Sequence, residues 1–185
     1  VLAARAADRG LPAEQEQMDS WRESLTFLSE ALSLVNKDRN IANWGLLLEY
    51  EIPRRGRRPD AILLAGQTVI VVEFKCGARQ FDRQALLQAH DYALDIRDFH
   101  AQSRGLSVIP VVVATGHPGP LRRREVAGCS LPLNCVATPD DLYELLNSLP
   151  HDDTTQIDLT AWDQSAYQPS PDILAAAREV FANHD

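Results

Sequence analysis

The sequence pairs Pro59-Asp60 with Glu73-Phe74-Lys75 across twelve intervening residues. Side chains alternate along a strand, so Glu73 and Lys75 would share one face while Phe74 points to the other. A hairpin leading from Asp60 into that strand would set the Asp60 carboxylate beside Glu73. Two carboxylates can hold a hard divalent cation such as Mg2+, with a backbone carbonyl and water completing its shell. A neighbouring ammonium can orient or deprotonate an attacking water and offset charge on a pentavalent phosphorane. These parts suffice for metal-assisted phosphodiester hydrolysis. The competing interpretation is a structural Glu73–Lys75 ion pair at a strand end, with Asp60 as a turn residue, and for an arbitrary D…ExK match it would win. The context tips the balance, because ionised groups at the end of a buried strand are costly unless partners or a metal compensate them.

The elements that must position these groups follow from hydrophobic periodicity. Trp21, Leu25, Leu28, Leu32 and Val35 recur at three- and four-residue steps, which predicts an amphipathic helix from about Glu14 to Asn36. Strands are expected at Leu46–Ile52, Asp60–Leu64 and Thr68–Phe74, with turns at Pro53–Pro59 and Ala65-Gly66-Gln67. The run from Val69 to Val72 is apolar on both faces, the mark of a central strand covered on both sides. A second long helix is expected from Gln80 to about His100, with Phe81, Ala85, Tyr92, Ile96 and Phe99 buried. Strands at Leu106–Thr115, where Pro110 threatens the pairing, and Leu133–Ala137 precede a short helix at Pro139–Leu149 capped by Thr138. A last amphipathic piece covers Ile173–Phe181. The order predicts an α/β fold, a mixed central sheet flanked by helices.

In this order the motifs resemble the PD-(D/E)XK nuclease superfamily, whose members cleave nucleic acid with Mg2+ or Mn2+. The resemblance implies a restriction-endonuclease-like sheet, with Asp60 and Glu73 as metal ligands and Lys75 assisting the water. Gln88-Ala89-His90-Asp91-Tyr92 is similar to the Q-x-x-x-Y motif of RecB-like members, placing Gln88 and Tyr92 on one helix face toward the site. Such proteins usually add a glutamate from the first helix; Glu23 is the choice here, and Glu30 lies two turns further on. A narrower resemblance rests on Leu48–Pro53, Arg57–Asp60, Val72–Lys75, Asp91–Asp95 and Tyr167–Pro171. It points to the N-terminal region of bacterial helicases that carry a Schlafen-related ATPase domain. No G-x-x-x-x-G-K-[ST] phosphate loop occurs in the 185 residues. The resemblance therefore implies an accessory nuclease-like domain at 1–150 and an acidic extension at 151–185 that would lead into an absent motor.

Charge and composition set the partners. The net charge is -8, yet residues 125–177 hold 9 acidic side chains and no Lys or Arg, whereas residues 51–124 hold 12 basic against 7 acidic. The middle of the chain can therefore face phosphate, and DNA is the expected substrate, with RNA not excluded. Arg54, Arg55, Arg57 and Arg58 flank the site as candidate phosphate donors, and Arg122, Arg123 and Arg124 form a second candidate contact. Only two of 18 basic residues are lysines, Lys37 and Lys75, so this Arg clustering is weak support by itself. Glu49 and Glu51 share a strand face; they read as a solvated edge, with metal ligation as the alternative. The five histidines show no metal-ligand spacing, and Cys76, Cys129 and Cys135 form neither a disulfide framework nor a zinc pattern. No apolar run approaches a membrane span, so a cytoplasmic protein without a membrane partner is expected. Two rivals remain: a nucleic-acid-binding module that has lost cleavage, and a protein-interaction module that positions a helicase through the acidic stretch.

Overall fold

The computed structural model describes residues 11–121, 125–126, 129–150 and 156–182. Helix α1 (Leu11–Asp38) leads into strands β1 (Gly45–Leu48), β2 (Ala61–Ala65) and β3 (Thr68–Lys75). Helix α2 (Arg83–Phe99) and a 3-10 turn (Ala101–Ser103) cross to β4 (Ser107–Ala114), followed by β5 (Asn134–Val136) and α3 (Pro139–Asn147). Short helix α4 (Leu159–Asp163) and terminal helix α5 (Pro171–Ala182) complete the chain. The fold is α/β: the sheet has five strands in the order β1-β2-β3-β4-β5, antiparallel across the first three and parallel from β3 to β5. Among the described residues, no helix is long and apolar enough to cross a membrane.

Both sheet faces are covered, which is why β2, β3 and β4 are apolar almost throughout. One face packs Leu63, Ile70, Val72 and Val111 against Phe27, Leu28, Ala31 and Val35 of α1 and against Leu142 and Leu146 of α3. The other packs Ile62, Leu64, Val69 and Val71 against Tyr92, Ala93 and Ile96 of α2. The buried stripe of α1 is thus rotated from the expected one: Leu25 is exposed, and Phe27 and Ala31 take its place. In α2, Phe81 precedes the helix and Phe99 is only half-buried. Pro110 does not interrupt β4; it keeps register opposite Val71. Thr138 caps α3 through a reciprocal capping box with Asp141.

One further expectation needs correction. Strand β1 stops at Leu48, four residues short of Ile52, because Glu49 takes φ 52 and turns the chain. Tyr50 and Ile52 then drop into the α2-side core and pack with Trp162. Part of the stretch beyond Pro150 packs on the sheet body. Trp162 of α4 is fully buried, 5.1 Å from the Tyr50 ring and 4.0 Å from His100. Three side chains close a hydrogen-bonded ring there. Trp162 Nε1 donates to Ser103 Oγ at 3.0 Å. His100 Nε2 meets the Trp162 carbonyl at 3.0 Å, and Nδ1 meets Ser103 Oγ at 2.9 Å. A carbonyl only accepts, so the proton sits on Nε2 and Ser103 donates to Nδ1.

Two outcomes follow from this closure. Trp162→Ala empties a fully buried indole site and should lower unfolding free energy by about 3–5 kcal/mol in urea titration; a loss under ~1 kcal/mol would show that residues 156–170 stabilise the body little. His100 has its pKa pushed down from 6.5 to about 4, chiefly by burial. Its contribution is therefore present in full above pH 6.5 and lost as pH falls through 4. Melting temperature measured across that window should fall more steeply for wild type than for His100→Gln.

Candidate active site

The register that pairs Ala61 with Val72 sets Asp60 directly opposite Glu73. Beyond that last β2 pair, Phe74 N–H donates to Asp60 Oδ2 at 2.6 Å, so the carboxylate is fixed to the β3 backbone itself. Phe74 turns to the α1 face, where its ring meets Phe27 edge-on at 5.8 Å. Glu73 and Lys75 therefore face α2. Lys75 Nζ donates to Glu73 Oε1 at 3.0 Å and to Gln88 Oε1 at 3.1 Å. Gln88 Nε2 in turn donates to Tyr92 Oη at 2.8 Å. One helical turn separates Gln88 from Tyr92, which lets the phenol set the amide orientation and the amide hold the ammonium. Asp60, Glu73, Lys75, Gln88 and Tyr92 thus form one continuous constellation at the end of the central strand.

The loop that follows is locked from behind. Gly77 N–H donates to Thr115 Oγ1 at 2.7 Å, and Gly116 N–H donates to the Ala78 carbonyl at 3.0 Å. A Cβ on Gly116 would lie 2.4 Å from the Gly77 carbonyl oxygen, so only glycine lets the β3 and β4 exits approach this closely. Cys76 ties the same exit to α1, lying 3.4 Å from Ser24 Oγ and 3.4 Å from the Ser20 carbonyl. Burial pushes its thiol pKa up, which makes it a poor nucleophile.

Electrostatically the site is short of positive charge. Burial and then Asp60 push the Glu73 pKa up from 4.5 to about 7, against the pull of Lys75. Asp60 is also raised, by burial first, with the Phe74 N–H opposing. Glu73 Oε2 is buried and has no hydrogen-bond partner among the described residues. A divalent cation between the two carboxylates would meet that orphaned oxygen and relieve the repulsion, so Asp60 and Glu73 fit Mg2+ or Mn2+, ions that keep several waters and accept one or two carboxylates. Among the described residues, no three His, Cys, Asp or Glu are grouped to hold a metal.

The remaining sequence candidates are placed elsewhere. Glu23 and Glu30 lie exposed on α1 and line an open groove with Asp19, Thr115 and His117. Glu23 raises the Cys76 thiol but does not join the hydrogen-bonded constellation. Arg55 is 2.7 Å from Asp95 and Arg57 is 3.6 Å from both Asp91 and Asp95, so these two arginines clamp the β1–β2 loop to α2. Arg58 pairs with Glu49 at 2.8 Å. Arg54, at φ 64, is exposed and makes no ion pair among the described residues. Arg122, Arg123 and Arg124 lie outside the described residues. Glu51 is exposed, as an edge residue should be, but Glu49 is not a solvated edge: Trp21 Nε1 donates to its Oε1 at 3.0 Å. Local pattern could not reveal that contact, which joins residues 28 apart.

Comparison with known proteins places no neighbour beside this arrangement: no family model, curated protein or solved structure matches the chain. The geometry makes its own prediction. A raised carboxyl pKa means that Glu73 favours the fold while protonated, below pH 4.5, and that this advantage is lost as pH rises through about 7. In EDTA above pH 7, Glu73→Gln should therefore melt at a higher temperature than wild type, with the difference shrinking toward pH 4.5. A variant that melts lower at every pH would mean that the Lys75 ion pair outweighs the burial cost.

Proposed function

We propose that this chain is a metal-dependent phosphodiesterase of the PD-(D/E)XK type that hydrolyses nucleic acid, DNA foremost. The observation that carries the reading is the buried, unpartnered Oε2 of Glu73 beside Asp60, with Lys75 pinned to the other Glu73 oxygen. The element order of helix, three strands, helix and strand around it supports the same reading. Asp60 and Glu73 would hold Mg2+ or Mn2+, which supplies charge stabilisation at a scissile phosphate and a more acidic water. Lys75 does the positioning. Its ammonium has three N–H donors, of which Glu73 and Gln88 take two, leaving one for a water or a phosphate oxygen. Gln88 and Tyr92 keep that third donor aimed by fixing the other two. Service to a helicase in the same full-length protein belongs to this proposal as well, resting on the resemblance of the Leu48–Pro53 and Arg57–Asp60 segments.

A second reading, a nucleic-acid-binding module that does not cleave, is favoured by the absence of a third acidic metal ligand among the described residues. Single- and double-stranded DNA and RNA incubated with Mg2+, Mn2+ or EDTA separate the two. Cleavage that needs the ion supports the enzyme, and affinity without turnover supports the module.

Lys75 gives the sharper test. Guanidinium is planar, wider and always protonated, so it cannot replace a compact ammonium beside a water. Lys75→Ala and Lys75→Arg should each lower the cleavage rate by about 10²-fold or more while the fold and DNA affinity persist. Wild-type rates in the alanine variant would remove Lys75 from the chemistry. Unfolding of both variants would leave it as a structural partner of Glu73.

A further inference from the structure

Glu49 sits at the end of β1 in a conformation that L-residues avoid, φ 52. The strained turn has a definite result. Glu49 N–H donates to the Asp60 carbonyl at 2.9 Å, which latches the two residues together where β1 and β2 part. The side chain is held at both oxygens: Trp21 of α1 donates to Oε1 at 3.0 Å, and Arg58 Nε lies 2.8 Å from Oε2. A glutamate serving only solubility would need neither. The bond sets Glu49 beside Asp60, which lies opposite Glu73, so three carboxylate residues stand at neighbouring strand ends. In the free protein their mutual repulsion is unfavourable, and Glu73, whose side chain is 6% exposed, keeps one oxygen without a partner among the described residues. A divalent ion held by Asp60 and Glu73 would turn that repulsion into attraction.

We propose that Glu49 is a positioning residue of the cation site, clamped by Trp21 and Arg58 so that its charge strengthens the hold of Asp60 and Glu73 on a divalent ion. The inference rests on Asp60 and Glu73 being the ligands. Glu49 acts through the field and through the Asp60 backbone, because Trp21 and Arg58 occupy its oxygens. Arg58 is thereby assigned to Glu49, whose Oε2 it meets at 2.8 Å.

Calorimetric titration of the 185-residue chain with Mn2+ tests this without any substrate. Wild type should bind. Glu49→Gln, which keeps shape and removes charge, should weaken binding roughly tenfold, the size expected for one charge several Å away in a partly solvated site. Glu49→Gly removes the same charge and suits the positive φ, so it carries the same expectation should the glutamine variant fail to fold. Arg58→Gln should bind Mn2+ at least as tightly as wild type, since it removes a compensating positive charge. Wild-type affinity in both Glu49 variants would overturn the proposal. So would equal weakening in Arg58→Gln, which would make the clamp a matter of shape alone. No Mn2+ binding by wild type would overturn the cation-site reading itself, and this inference with it.

Discussion

The structure turns on one constraint: a carboxylate must be carried at the end of a strand that is otherwise fully buried. From Thr68 to Phe74 every side chain of β3 is buried, and Glu73 is among them at 4% exposure. An ionised group there needs compensation close by. The chain supplies a good part of it through Lys75, two residues on and on the same face, and through the Gln88–Tyr92 pair that holds the ammonium in place. Among the described residues, none partners Glu73 Oε2. Leaving a buried oxygen unpaired costs about 1–3 kcal/mol, more when charged.

The rest of the fold secures that strand end from several directions. The β2–β3 hairpin closes through a two-residue turn with Gly66 at φ 59, which fixes the register and hence the Asp60–Glu73 pairing. A one-residue slip would turn Glu73 and Lys75 to the α1 face and away from Gln88. Helix α1 reaches the same end through Trp21 and through Ser20 and Ser24 against Cys76. The β1–β2 loop reaches it through Arg58, while Arg55 and Arg57 anchor the loop to Asp95 on α2. Three separate segments, the β2–β3 hairpin, α1 and the β1–β2 loop, thus converge on this strand end. On the opposite side of that loop, Trp162 and His100 fill the space beneath Tyr50, so the segment after Pro150 helps hold the loop that carries Arg58.

Charge explains why arginines beside a site need not be its phosphate donors. Arg55, Arg57 and Arg58 all have carboxylate partners within the fold, and of these four loop arginines Arg54 alone makes no ion pair among the described residues. The acidic side chains Asp91 and Asp95 lie one turn apart on α2, so the loop arginines meet a prepared negative face. Three of the four arginines beside the site are thus engaged in ion pairs within the fold.

The sequence by itself determined whatever depends on local period and short spacing. The alternation of Glu73, Phe74 and Lys75, the unbroken apolar run of β3, the one-turn spacing of Gln88 and Tyr92 and the Thr138 cap each follow from the geometry of one strand, one hairpin or one helix. The tertiary structure alone decided what depends on segments far apart in the chain. Glu49 looks like a strand-edge residue until its positive φ and its contact with Trp21 are seen, because nothing within reach of either residue announces the other. The stretch around Trp162 looks polar and acidic, yet its indole is the largest fully buried side chain among the described residues, because one aromatic needs no periodic pattern when the cavity that receives it is built by Tyr50, Ser103 and His100. Glu23 shows the converse: a helix period can place a carboxylate on a face, but only packing decides what that face meets, and here it meets an open groove.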